Sequence, residues 1–159
     1  MSSGGAPEAQ TVDGRGLSVV IVAGSWHKEI ADGLVAGARR ALDAAGAQHR
    51  LVQVPGSFEL PLAAKAALTA GADAVVALGV IVRGETPHFD YVASAATDGL
   101  TRAALDCGKP VGFGVLTCDT EQQGLDRAGL PGSKEDKGAQ AAEAALRMVQ
   151  VLRGLASRS

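Results

Sequence analysis

The sequence predicts an α/β fold, a three-layer αβα sandwich around a central four-stranded parallel sheet. Two observations predict it. Strand-like runs alternate with helical runs along the chain, and that alternation builds parallel sheets with helices on both faces. The longest apolar run, Ala74 to Val82, shows no polar alternation, as a strand covered on both faces should.

Leu17 to Ala23 reads as the first strand and Arg50 to Val54 as the second. Between them Ile30, Leu34, Ala38, Ala41, Leu42 and Ala45 recur at helical spacing, and Gly46 supplies the stop. Leu60 to Ala70 gives a shorter alanine-rich helix ending at Gly71. The third strand, Ala74 to Val82, leads into a helix over Pro87 to Asp106. Pro110 to Leu116 is the fourth strand, and Glu121 to Ala128 a short helix that Gly129 and Pro131 break. A last helix, from about Lys134 to Leu155, puts Ala141, Ala145, Met148, Leu152 and Leu155 on one face, the expected core stripe. Met1 to Gly16, rich in Gly and Ser, is expected as a flexible tail. Residues 17–159 then form a single domain.

With 159 residues and 47% hydrophobic content, such a domain can bury a substantial core without staples or metals. A formal charge of −2 carries no footprint for nucleic acid or an anionic membrane surface. No apolar run approaches the roughly 18 to 20 residues that span a bilayer. The first ten residues lack the basic and then apolar order of a signal peptide, so the expected location is the cytoplasm. Cys107 and Cys118 make no CxxC pair and are expected to be reduced, non-catalytic thiols. His27, His49 and His88 form no metal-ligand pattern.

Gly79 to Asp90 carries the densest chemistry: Gly-Val-Ile-Val-Arg-Gly-Glu-Thr-Pro-His-Phe-Asp. Thr86 has the side chain of an N-cap, and Pro87 fits the first helical position, where its missing N–H costs nothing. The free N–H groups of that turn, at the positive end of the helix dipole, make a small anion site. His88 adds a proton carrier beside it. Gly79-x-x-x-x-Gly84-Glu85-Thr86 also matches the spacing of a nucleotide phosphate loop, except that Glu85 stands where that motif needs lysine. A like-charge contact at about 4 Å costs roughly 4 kcal/mol at an effective dielectric near 20. A nucleoside triphosphate is therefore disfavoured. A single phosphate on backbone N–H groups, with the Glu85 side chain turned away, remains, and the plainer alternative is a well-capped helix with an exposed histidine.

In parallel sheets ligands bind beyond the carboxyl ends of the strands. Those ends carry Gly24-Ser25-Trp26-His27, Pro55-Gly56-Ser57-Phe58-Glu59, the segment above, and Thr117-Cys118-Asp119-Thr120. A dinucleotide fold would need Gly-x-Gly-x-x-Gly after the first strand and an acid closing the second, and neither is present. Trp26, the only tryptophan, serves as a core plug or as a stacking surface. Glu59 either caps the next helix or faces a ligand.

Together these segments resemble the 6,7-dimethyl-8-ribityllumazine synthase family of riboflavin synthesis from Leu17 to Leu155. The carriers are Ser25-Trp26-His27, Pro55-Gly56-Ser57-Phe58-Glu59-Leu60-Pro61, the run from Ala77 to Val92, Gly114-Val115-Leu116-Thr117, Asp126-Arg127-Ala128-Gly129 and Lys137-Gly138. The resemblance implies a flavodoxin-like fold and a transferase. It implies condensation of 5-amino-6-(D-ribitylamino)uracil with 3,4-dihydroxy-2-butanone 4-phosphate, releasing phosphate and water. No cofactor or metal is implied.

Site roles follow from the same resemblance. Trp26, where phenylalanine is commoner, would stack on the pyrimidine, with Val80, Ile81 and Val82 walling the ring. Backbone groups around Ser57 and Phe58 would read ring and ribityl edges, and Glu59 would accept from ribityl hydroxyls. Gly84, Glu85 and Thr86 would cradle the phosphate, Arg127 would close on it with a bidentate fork, and His88 would move protons. Phe113 and Lys137 match positions that line the pocket from a neighbouring subunit.

Partners implied are small-molecule substrates and copies of the same chain, as a cyclic pentamer with its active site at the subunit interface. Sixty-subunit shells in this family often carry Gly-Asn before the last helix, where this chain has Glu135-Asp136. Repulsion between these acids across a contact of pentamers favours a free pentamer, with the shell as alternative. A flavin- or pyrimidine-binding protein without catalysis, or a shell-forming one, would use the same fold.

Overall fold

The structure, a computed structural model, describes residues 4–7 and 12–157. Four strands, β1 (Ser18–Gly24), β2 (Gln48–Val54), β3 (Ala74–Val82) and β4 (Val111–Cys118), form one parallel sheet in the order β2-β1-β3-β4. The helices are α1 (Lys28–Ala45), α2 (Leu60–Thr69), α3 (His88–Cys107), α4 (Glu121–Leu125) and α5 (Lys137–Ala156), with a 3-10 turn at Ser57–Glu59.

Successive strand residues point to opposite faces, so an unbroken apolar strand feeds two cores. In β1, Val19, Ile21 and Ala23 join Leu34, Leu42 and Leu146 beneath α1 and α5. Val20 and Val22 join Leu60, Leu68 and Leu100 beneath α2 and α3. This is the expected three-layer sandwich. The helix α1 stops where Gly46 turns left-handed at φ 77°, its N–H donating to the Asp43 carbonyl and that of Ala47 to the Leu42 carbonyl, as glycine permits.

Several expectations change in detail. Pro87, not Thr86, occupies the cap position of α3, and the Thr86 hydroxyl lies 3.4 Å from the His88 N–H it accepts. The last helix begins at Lys137 because the Asp136 carboxylate caps it, accepting from the Ala139 N–H at 3.0 Å. In α5 the expected core stripe holds for Ala141 and Ala145, but Met148, Leu152 and Leu155 are exposed, and Ala142, Leu146 and Val149 are buried instead. The helix outruns the elements it packs on, and no described residue past Val149 is buried. Of the expected tail, Val12 packs into the core and the Gly14 N–H donates to the Ala45 carbonyl at 2.8 Å. The packed domain therefore begins before Leu17, while residues 1–3 and 8–11 of that tail lie outside the described residues.

The topology makes one crevice. The pairing of β1 with β3 ends at Ala23 and Leu78, so Gly79 to Val82 pair with β4 alone. From β1 the chain crosses to β2 on one side, and from β3 to β4 on the other. Ligands of open parallel sheets occupy such switch points.

Candidate active site

At this switch point lies a cleft of about 630 Å³. Its back wall is Val80, Ile81 and Val82 of β3. One flank is Trp26 and His27 after β1, another is Gly56 to Glu59 after β2, and the third is His88, Tyr91 and Val92 on the first turns of α3. Eight of the residues expected at a site thus meet: Trp26, Ser57, Phe58, Glu59, Val80, Ile81, Val82 and His88.

Local bonds set these flanks. The Ser25 hydroxyl donates to the Val54 carbonyl at 2.7 Å and the Ser25 N–H to the Pro55 carbonyl at 3.3 Å, tying the first two loops together. Trp26 is no core plug: it is 68% exposed. Phe58 is also exposed, so two aromatic faces stand free at the mouth. Ser57 is buried against Gly79 of β3.

The turn after β3 is braced from three sides by Arg83. Its Nε donates to Asp119 at 2.9 Å, its Nη1 lies 3.7 Å from Asp90, and its guanidinium carbon sits 4.4 Å from the centre of the Phe89 ring. The Asp119 hydrogen bond raises the guanidinium pKa further above its already high value. Arg83 is thus committed to the protein, while Gly84, Glu85 and Thr86 stay exposed beside the cleft without lining it.

Phe113, Arg127 and Lys137 do not line this cleft. Phe113 is 48% exposed on β4, an edge strand, and lines a groove with Leu100 and Thr101 of α3. Arg127 and Lys137 stand on a closed loop. The Lys134 and Glu135 N–H groups donate to the Asp126 carbonyl, the Gly129 N–H to that of Glu135, and the Lys137 N–H to that of Arg127. Glu135 and Asp136 are also not the free surface charges that the sequence suggested. The Glu135 side chain is 7% exposed between Arg127 and Lys137, and Asp136 accepts from Arg40 at 2.9 Å.

Sequence reasoning left four lining residues unassigned. His27 adopts φ 53°, the only left-handed non-glycine among the described residues, a conformation that clusters at functional sites. Histidine enters that region more often than most residues, but residue type alone does not mark which histidine does. Gly56, Tyr91 and Val92 were legible in part, since positions three and four beyond His88 share its helix face. Burial pushes the Cys118 thiol up, which leaves it protonated and a poor nucleophile at neutral pH. Among the described residues no three His, Cys, Asp or Glu side chains group to hold a metal ion.

Comparison with known proteins agrees with this architecture. A family model described as 6,7-dimethyl-8-ribityllumazine synthase matches residues 16–153. Proteins of that name from Leifsonia xyli subsp. xyli, Clavibacter michiganensis subsp. michiganensis and Kineococcus radiotolerans are 71%, 65% and 61% identical. Each match covers 98% of this chain, and 99%, 98% and 97% of the respective relatives. The match spans all four strands and every segment that walls the cleft, and the chain belongs to the 6,7-dimethyl-8-ribityllumazine synthase family.

Proposed function

We propose that the cleft at the switch point is where this chain performs its family's reaction. That reaction joins 5-amino-6-(D-ribitylamino)uracil to 3,4-dihydroxy-2-butanone 4-phosphate, giving 6,7-dimethyl-8-ribityllumazine, phosphate and water in riboflavin biosynthesis. The observation that carries the assignment is the convergence of an exposed indole, an apolar back wall and a histidine on one crevice. The pyrimidine stacks on Trp26 against Val80, Ile81 and Val82. Backbone groups at Ser57 and Phe58, with the Glu59 carboxylate, take its polar edge and ribityl hydroxyls. The turn Gly84 to Thr86 takes the phosphate of the second substrate.

The chemistry moves protons at each stage. The pyrimidine amine adds to the ketone and water leaves. The resulting imine gives up the proton of the adjacent carbon as phosphate departs, and the enol so formed becomes a ketone. The ribitylamino nitrogen closes the second ring on that ketone with loss of a second water. None of these steps needs a nucleophile from the protein. His88, at the rim where both substrates meet, takes and returns the protons. General acid–base help contributes about 10²- to 10⁴-fold, whereas holding two reactants in register contributes effective molarities of roughly 10⁵ to 10⁸ M. Positioning therefore dominates.

The cleft of one chain is only part of the site. Phe113, Arg127 and Lys137 fall outside it, and the exposed aromatic on an edge strand suits contact with a second copy. In this reading the three residues complete the cleft of a neighbour, Arg127 clamping the phosphate, and the working form is a free ring of five. Mixing the protein with both substrates and following the lumazine chromophore tests the reaction, and absence of turnover would refute it. Sedimentation tests the ring, which must read five chain masses. A single chain mass with full activity would overturn the shared site, and a sixty-subunit particle would replace the free ring by a shell.

A further inference from the structure

The carboxylate of Glu135 has no part in the roles above, yet it is enclosed. Its side chain is 7% exposed, and its Oε1 stands 3.1 Å from the Lys137 Nζ while its Oε2 stands 3.8 Å from the Arg127 Nε. The Oε1 contact is close in distance, but among the described residues no hydrogen bond reaches that oxygen. A buried anion without its full set of bonds is costly unless cations fix it, so the two cations are what Glu135 is enclosed for.

The arrangement also decides which donors stay available. The Arg127 Nη1 donates to the Gln123 carbonyl at 2.9 Å, and its Nε faces Glu135. Its Nη2 has no partner among the described residues. Lys137 is held by Gln140 Oε1 at 3.1 Å as well as by Glu135. The backbone bond between the Lys137 N–H and the Arg127 carbonyl, at 3.0 Å, sets the spacing of the two main chains. One carboxylate then sets the spacing of the two side-chain tips.

We propose that Glu135 is a positioning residue, a shared counterion that holds Arg127 and Lys137 at one fixed separation and so keeps the phosphate clamp and the pyrimidine-side cation in register. The proposal rests on the assignment of Arg127 to the phosphate made above, and on taking Lys137, which the family resemblance sets in the pocket for the pyrimidine and ribityl groups, as the contact to the pyrimidine substrate. It makes Glu135 the mechanical link between the two substrates' binding sites. It also carries a sign that a purely electrostatic role would reverse. Removing a negative charge between two cations raises the local positive potential, which by itself tightens binding of a phosphate. Loss of positioning loosens it.

The test is steady-state kinetics of the assembled protein on both substrates, for E135Q, R127A and K137A. The expected result is that R127A raises KM for the butanone phosphate alone, K137A raises KM for the pyrimidine alone, and E135Q raises both, each on the order of ten-fold. If E135Q fails to assemble, E135D keeps the charge but withdraws it by one methylene, and must raise both constants by a smaller factor. An E135Q that lowers KM for the butanone phosphate overturns the proposal, as does one that changes only the amount of folded protein and neither KM. If R127A and K137A leave both constants unchanged, the assignment of the two cations fails first and the proposal with it.

Discussion

Ser57 and Gly79 touch across the floor of the cleft: a Cβ built on Gly79 would stand 2.5 Å from the Ser57 Oγ and 3.1 Å from a Leu60 methyl. The bare backbone of β3 is what lets the 3-10 turn Ser57–Glu59 seat on the strand. Gly79→Ala must turn the Ser57 hydroxyl aside and crowd the Leu60 methyl, or lift the turn off the strand. Overpacking of this kind costs about 1–3 kcal/mol, read as a lower denaturation midpoint, and it should weaken binding of the pyrimidine substrate because Ser57, Phe58 and Glu59 move together. An alanine variant with unchanged stability and affinity would show that the turn is not seated by this contact.

Trp26 separates binding from folding. Its indole is 68% exposed, so Trp26→Ala should leave the melting temperature nearly unchanged. Stacking of an aromatic side chain on a base is worth about 1–3 kcal/mol, which predicts a loss of affinity for the pyrimidine of roughly ten- to hundred-fold by titration. Trp26→Phe should recover most of it. A large fall in stability with intact affinity would return Trp26 to the core.

Arg127→Ala should raise the Michaelis constant for the butanone phosphate and slow turnover. Charge-assisted hydrogen bonds are worth about 1.5–3 kcal/mol each, a roughly ten- to hundred-fold effect. Arg127→Lys should recover little, because a point charge does not reproduce a fork held at Nη1 by the Gln123 carbonyl. Unchanged kinetics toward that substrate would remove Arg127 from the site.

His88→Ala should keep measurable activity, about 10²- to 10⁴-fold down at most, because both substrates still lie in register. Single-turnover assays with both substrates saturating give the number. Complete loss with binding intact would make proton transfer the larger contribution, and no loss would make the histidine a bystander.

The sequence by itself determined the layers and most of the cleft. An apolar run such as Ala74 to Val82 can be satisfied only by cover on both faces, and Gly46 marks a helix end through its own backbone freedom. Trp26, Ser57 to Glu59 and His88 were legible because each follows a strand end, and in a parallel sheet all strand ends face the same side. Tertiary structure alone decided the rest. Which face of α5 is buried depends on how the helix seats on α1 and the sheet, and how far that face runs depends on where they stop. Spacing alone therefore misplaced Met148, which lies off the buried face, and Leu152 and Leu155, which lie past its last buried residue, Val149. The left-handed turn at His27 is one that histidine tolerates better than most side chains, but only the structure places it there, next to the loops that Ser25 ties together. Glu135 reads as a surface acid in a polar turn. Only the closed loop from Asp126 to Lys137 encloses its carboxylate between two cations, because burial belongs to the neighbours that chain closure brings in rather than to the residue.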